Sequence, residues 1–121
     1  MNYLLNNWQN LDHAKTYGGN AFFDLWTHGV DDKRAREMTT GDTCLVLSRA
    51  AANDVAISIY KFARARQGTF GAGPSQNVWV LEGTFQRQEV LTKAAAAKHP
   101  RYARYFNRLG HVNQWSVLRD A

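Results

Sequence analysis

Apolar and polar positions alternate over Val55-Ala56-Ile57-Ser58-Ile59-Tyr60-Lys61-Phe62. This period of two predicts a strand, with Val55, Ile57, Ile59 and Lys61 on one side and Ala56, Ser58, Tyr60 and Phe62 on the other. Both sides are partly apolar, so a central sheet or barrel strand is expected. Asn77 to Gln86 carries a second such run, in which Val78, Val80 and Glu82 alternate with Trp79, Leu81 and Gly83, the glycine marking a bulge. Shorter runs of β-formers predict strands at about 2–7, over Thr43–Ser48 and at about Gln114–Leu118. Between them, Leu11 to Tyr17 reads as a helical turn ended by Gly18-Gly19, and Asn20 as the N-cap of a helix through Phe22, Phe23, Leu25 and Trp26. Asp31 to Glu37 reads as a polar helical turn with acids first and bases after. Leu91 to Lys98, with four consecutive alanines, predicts a helix that His99-Pro100 interrupts. A further helix from Pro100 would carry the stripe Tyr102, Tyr105, Phe106 and Leu109 and stop at Gly110, with Arg101, Arg104 and Arg108 on another side. Gln67 to Gln76, with Gly68, Gly71, Gly73 and Pro74, reads as a loop inside one domain. Five β segments with helices between them make an α+β domain.

The length of 121 residues fits a single domain over 1–121. The apolar fraction of 45% and charged fraction of 21% are those of a globular chain that can form a core without a membrane. There is no run of 18 apolar residues and no basic segment leading into an apolar one near Met1, so neither export nor membrane insertion is expected and a cytoplasmic location is. Cys44 is the single cysteine, which excludes an internal disulfide and a multi-thiolate zinc site. Within Cys44-Leu45-Val46-Leu47 it is expected to be a buried small hydrophobe.

Charge alters the picture. The net charge is +5, and residues 1–60 carry five Lys/Arg against seven Asp/Glu, whereas residues 61–121 carry ten against three. A surplus so placed suits phosphates, because cations that neutralise a nucleic-acid backbone bind it without reading sequence. The alternative is a solubilising face.

No P-loop, dinucleotide fingerprint or nucleophile elbow occurs, so no enzyme class, catalytic residue or cofactor is indicated. His13, His28, His99 and His111 lack zinc-helix spacing, and no metal site is expected. What stands out is the pairing of tryptophans with amides and small polar residues at segment junctions: Asn6-Asn7-Trp8, Trp26-Thr27-His28-Gly29 and Asn113-Gln114-Trp115-Ser116. Indole can stack on a planar base while Asn, Gln and Ser read its hydrogen-bonding edge. For each tryptophan, the competing reading is a place in the core.

The order of a short first strand, Trp26-Thr27-His28-Gly29-Val30, Met38-Thr39-Thr40-Gly41-Asp42 leading into Cys44-Leu45-Val46-Leu47, and Val55-Ala56-Ile57-Ser58-Ile59 resembles the PUA-like superfamily, and EVE domains in particular. The ending, Tyr105-Phe106-Asn107-Arg108-Leu109-Gly110 through Asn113-Gln114-Trp115-Ser116-Val117, is similar to the helix and last strand that close such domains. The resemblance implies a small curved β-barrel of about five to six strands with peripheral helices, related to YTH and SRA domains. It also implies a reader of a modified base in DNA or RNA, such as a 5-methylcytosine-type base held in an aromatic pocket, with a separate or fused nuclease as effector and no enzymatic activity of its own. Expected base-binding residues are Asn7, Trp8, Trp26, Thr27, His28, Ser48, Asn113, Gln114 and Trp115; Thr27, His28 and Ser48 are included because helix and strand ends expose unpaired backbone groups. Expected phosphate contacts are Arg64, Arg66, Arg87, Arg101, Arg104 and Arg108. Two other classes remain: a protein-interaction or small-ligand module with a basic helix face, and a metal-independent enzyme using His28 with Asp24 or Asp42.

Overall fold

The computed structural model describes residues 1–6, 19–51, 53–70, 76–103 and 117–120. Within these, β1 (Asn2–Asn6), β2 (Ala21–Trp26), α1 (Gly29–Glu37), β3 (Thr43–Ala51), β4 (Asp54–Phe70), β5 (Gln76–Thr92), α2 (Lys93–Lys98) and β6 (Val117–Asp120) follow in chain order. The strands form one mixed sheet in the order β2-β5-β4-β3-β1-β6, so the chain is a small α+β domain. β1 runs parallel to β3 and antiparallel to β6. A parallel pair needs a long crossover, and here the crossover contains β2 and α1.

The alternation along β4 holds as expected. Val55, Ile57 and Ile59 are buried with Leu4, Leu45, Leu47, Ala96 and Tyr102 on the face covered by α2. Phe62, with Tyr60 packed beside it, joins Tyr3, Leu5, Phe22, Leu25, Cys44, Val46 and Leu81 on the face covered by α1, where Ala35 and Met38 complete the layer. The sheet therefore separates two apolar layers, which is why β1, β3 and β4 carry hydrophobic residues on both sides. Cys44 is fully buried in the α1-covered layer, and burial, reinforced by the nearby Asp42 charge, pushes its thiol up to about 12.

Several elements depart from the sequence reading. Ala21 to Trp26 is an edge strand rather than a helix. A register shift between Ala21 and Phe23 puts Phe22 and Phe23 both into the core, and this breaks the alternation and imitates helical spacing. β4 continues through Gly68 to Phe70 and β5 begins at Gln76, so much of the expected Gly-rich loop is strand; 71–75 lie outside the described residues. β3 runs on to Ala51, and β5 continues through Val90 and Leu91 so that α2 starts only at Lys93. Thr92 caps α2 by accepting the Ala95 N–H at 3.0 Å, and the helix ends at His99 before Pro100. Beyond it, His99–Ala103 forms a turn that buries Tyr102, while Arg104, Tyr105, Phe106, Arg108, Leu109 and Gly110 lie outside the described residues, as does the turn expected over Leu11–Tyr17. The final strand is observed over Val117–Asp120, and Gln114 to Ser116 of the expected strand lie outside the described residues.

Two irregularities bend the long β4–β5 pair, between Ile59 and Tyr60 and between Phe62 and Arg64. Gly83 faces Phe62 at the second. A Cβ there would stand 3.0 Å from the Lys61 carbonyl carbon, closer still to its oxygen, and 3.1 Å from the Phe22 ring, so the residue must be glycine for the backbones to approach. α1 packs on β2 and β5 at one edge of the sheet and also reaches β6 at the other. The sheet is thus curled around one helix, although among the described residues no pairing joins β2 to β6. Among the same residues no helix is long and apolar enough to cross a membrane.

Candidate nucleic-acid interface

Residues directly opposite one another in an antiparallel pair project to the same side. From Ile59 on the α2-covered face, this register carries Lys61, Arg64, Arg66 and Gly68 of β4 outwards, with Arg87, Glu82, Val80 and Val78 of β5 and Asp24 and Trp26 of β2 beside them. The apolar floor here is small, formed by Ala21, Val78 and Val80. Ile59 to Gly68 spans nine residues of strand, about 30 Å at 3.3 Å per residue if straight.

Trp26 ends β2 at one extremity of this face. Its side chain is 48% exposed, and its ring lies 5.6 Å from that of His28 at 43°. It therefore presents an indole to solvent rather than to the core. Thr27 donates its hydroxyl to the Asn77 carbonyl at 3.3 Å, and Gly29, at φ 65°, turns the chain into α1. The turn is held by Asp31, whose carboxylate accepts the Trp26 N–H at 3.4 Å. Trp26, Thr27 and His28 are accordingly together at an exposed junction, but a strand-to-helix junction and not the end of a helix.

Ser48 does not join them. It lies inside β3 opposite Ala56, 1% exposed, because the strand continues past it to Ala51; the expectation that it marks a strand end is corrected. Asn7, Trp8, Asn113, Gln114, Trp115, Arg104 and Arg108 lie outside the described residues.

Of the expected phosphate residues, Arg64, Arg66 and Arg87 lie on one side of the sheet, and Arg101 borders a cleft beside Arg87. Arg64 and Arg66 both engage Glu82, through Nε at 2.6 and 3.2 Å, so two positive charges share one carboxylate. Hydrogen bonding, chiefly from Arg64, holds the Glu82 carboxyl below its ordinary range. Farther along, Arg87 donates Nε to Glu89 at 3.1 Å, and Tyr102 donates its hydroxyl to the same carboxylate at 2.8 Å. The Tyr102 bond, followed by Arg87, keeps Glu89 below the usual carboxylate range, while burial and then Glu89 raise the Tyr102 phenol. Arg101 is close enough to act on both groups.

The sequence reading missed Lys61 as a site residue. Its ammonium donates to the Thr43 hydroxyl at 3.0 Å and the Gly41 carbonyl at 3.5 Å, both neutral oxygens. With Arg87 and Arg101 it borders a cleft of about 730 Å³ whose floor includes Leu45 and Ile59 and whose wall includes Asn2, Thr43 and Gln86. The alternation that places Lys61 beside Ile59 was the available signal. A second tryptophan, Trp79, was also unassigned, and its role is structural: Nε1 donates to Asp32 at 2.8 Å and the Arg36 guanidinium lies 5.3 Å above the ring. The Trp79 bond, ahead of the Arg36 contacts, holds the Asp32 carboxyl below its ordinary value. Asp42 accepts the Thr39 N–H at 2.8 Å and hydroxyl at 3.2 Å and so is held in the turn before β3.

No protein-family model matches the chain, and no curated protein matches it.

Proposed function

We propose that this domain binds nucleic acid across the face that carries Trp26, Arg64, Arg66, Lys61 and Arg87. The observation that carries the reading is their common side: a half-exposed indole and four cations project outwards from neighbouring β2, β4 and β5 positions. Stacking on an indole supplies sequence-tolerant affinity, and guanidinium groups supply phosphate contacts that position the strand. Glu82, Glu89 and Asp24 on the same face offset part of the charge, so the attraction is local to the arginine and lysine positions and not a uniform positive field.

The resemblance to EVE domains supplies the finer part of the proposal. In it, the curled sheet belongs to a PUA-like barrel, the base at Trp26 is modified, Thr27 and His28 read its edge, and Asn7, Trp8, Asn113, Gln114 and Trp115 contribute to the same pocket. The domain then acts in the cytoplasm as the recognition part of a modification-dependent system, with a nuclease as a separate or fused partner and no catalytic residue or cofactor of its own.

Trp26→Ala tests this reading. Loss of a base-stacking aromatic costs about 1 to 3 kcal/mol, roughly fivefold to 150-fold in Kd. Fluorescence anisotropy with short oligonucleotides, with and without 5-methylcytosine, should show that loss and a preference for the modified strand. Unchanged affinity in a folded variant would remove Trp26 from the interface. Equal affinity for both strands would remove modified-base reading while leaving general nucleic-acid binding.

A further inference from the structure

The cleft at the far end of this face has the composition of a ligand site in its own right. We infer that it binds the phosphate of a nucleotide, either a free nucleoside monophosphate or the phosphorylated end of a strand, which deepens the nucleic-acid reading and rests on it for the choice of ligand class. Lys61, Arg87 and Arg101 border it on three separate chain segments: β4, β5 and the turn after α2. No carboxylate lines it among the described residues. The Lys61 ammonium donates to two neutral oxygens, and among the described residues no carboxylate pairs with it, so its charge is directed to the mouth. An anion with several oxygens answers that arrangement, because each cation can donate to a different oxygen.

The remainder of the cleft selects what the phosphate is attached to. Leu45 and Ile59, both 5% exposed, form an apolar floor, and apolar floors with a few polar groups at the rim favour a planar organic body over a hydrated inorganic ion. Gln86 offers an amide to a ring edge or a sugar hydroxyl. The volume of about 730 Å³ lies within the range of small-molecule sites, about 300 to 1,000 Å³. Trp26 stands at the opposite extremity of β4's outward positions, so this cleft and the stacking platform are separate subsites of one face.

Isothermal titration with inorganic phosphate, cytidine and cytidine 5′-monophosphate tests the inference on the full chain. The monophosphate should bind about tenfold or more tightly than cytidine, the scale of one charge-assisted hydrogen bond. It should also bind more tightly than phosphate alone. Lys61→Gln and Arg87→Gln should each weaken it by roughly tenfold, whereas Lys33→Gln, which removes the same charge from α1 on the other face, should leave it unchanged. Circular dichroism establishes that each variant is folded. A 5′-phosphorylated oligonucleotide that competes better than its 5′-hydroxyl counterpart assigns the cleft to strand ends; equal competition with intact monophosphate binding assigns it to free nucleotide. Equal affinity for cytidine and its monophosphate, or equal weakening by Lys33→Gln, overturns the inference. If oligonucleotides still bind in a manner that depends on Arg64 and Arg66, the reading of the wider face survives that result; if they do not bind either, both fall.

Discussion

Replacing Gly83 with alanine probes the bend that sets the outward face. A Cβ at this position would be 3.0 Å from the Lys61 carbonyl carbon and 3.1 Å from Phe22 Cε1, against the 3.5 to 4.0 Å at which carbon atoms rest comfortably. The Lys61 carbonyl oxygen lies closer still, so the deficit exceeds half an ångström and falls chiefly on backbone, which cannot rotate away as a side chain can. Relief requires β4 and β5 to separate at the Phe62–Gly83 pair, next to a register shift that the chain already uses to turn. Overpacking of this kind costs about 1 to 3 kcal/mol, and a backbone clash belongs at the upper end. Reduced freedom of the unfolded chain returns about 0.4 to 1 kcal/mol. The net loss is about 2 kcal/mol, a fall of roughly 8 °C in Tm at about 4 °C per kcal/mol. Gly68→Ala is the matched control. There a Cβ meets the mobile Arg66 Nη1 at 3.1 Å and Val80 Cγ2 at 3.2 Å, so stability should change by less than about 1 kcal/mol. Thermal and urea melts followed by circular dichroism compare the two. Equal stability of the two variants would show that the close approach at Gly83 does not constrain the fold.

Tyr102→Phe should destabilise the domain by about 1 kcal/mol near neutral pH, through loss of the hydroxyl that Glu89 accepts. Because Glu89 is held below its unfolded value, its contribution is present above the unfolded carboxylate range and is lost as pH falls through the lower folded value; the variant should therefore show a shallower loss of stability in acid, and parallel pH–stability curves would refute the assignment. The Cys44 thiol, buried and raised to about 12, should react with a thiol reagent at pH 8 only at the rate of opening, so rapid labelling of the native protein would contradict its place in the core.

Strand periodicity made β4 and the first part of β5 legible, since each side of those strands meets a different apolar layer. It did not reveal β2, where one extra residue between Ala21 and Phe23 aligns two phenylalanines inwards and defeats a local pattern. Nor did it show that Gly68 lies in a strand, because a glycine next to other turn formers reads as a loop until a partner strand is known. The candidate site was legible in part. Arg64, Arg66 and Arg87 are surface cations as their composition suggested, but sharing Glu82 and Glu89 depends on register across two strands, which no single segment encodes. Ser48 shows the converse: its place at the end of the expected strand suggested an exposed backbone, whereas β3 runs on to Ala51 and takes it into the interior. Lys61 was read as a strand residue, and its significance emerges only when Arg87 and Arg101 arrive from distant segments.

The salt dependence of oligonucleotide binding tests the outward face most directly. Affinity for a short single-stranded oligonucleotide should be measured between about 50 and 200 mM salt for the unaltered chain and for Arg64→Gln/Arg66→Gln/Arg87→Gln. If these side chains contact phosphates, log Kobs falls with log[salt], and the slope shrinks by about 0.7 for each contact removed, about two units for all three. An unaltered slope in the triple variant, or no binding by the unaltered chain at about 50 mM salt, would contradict nucleic-acid binding across this face.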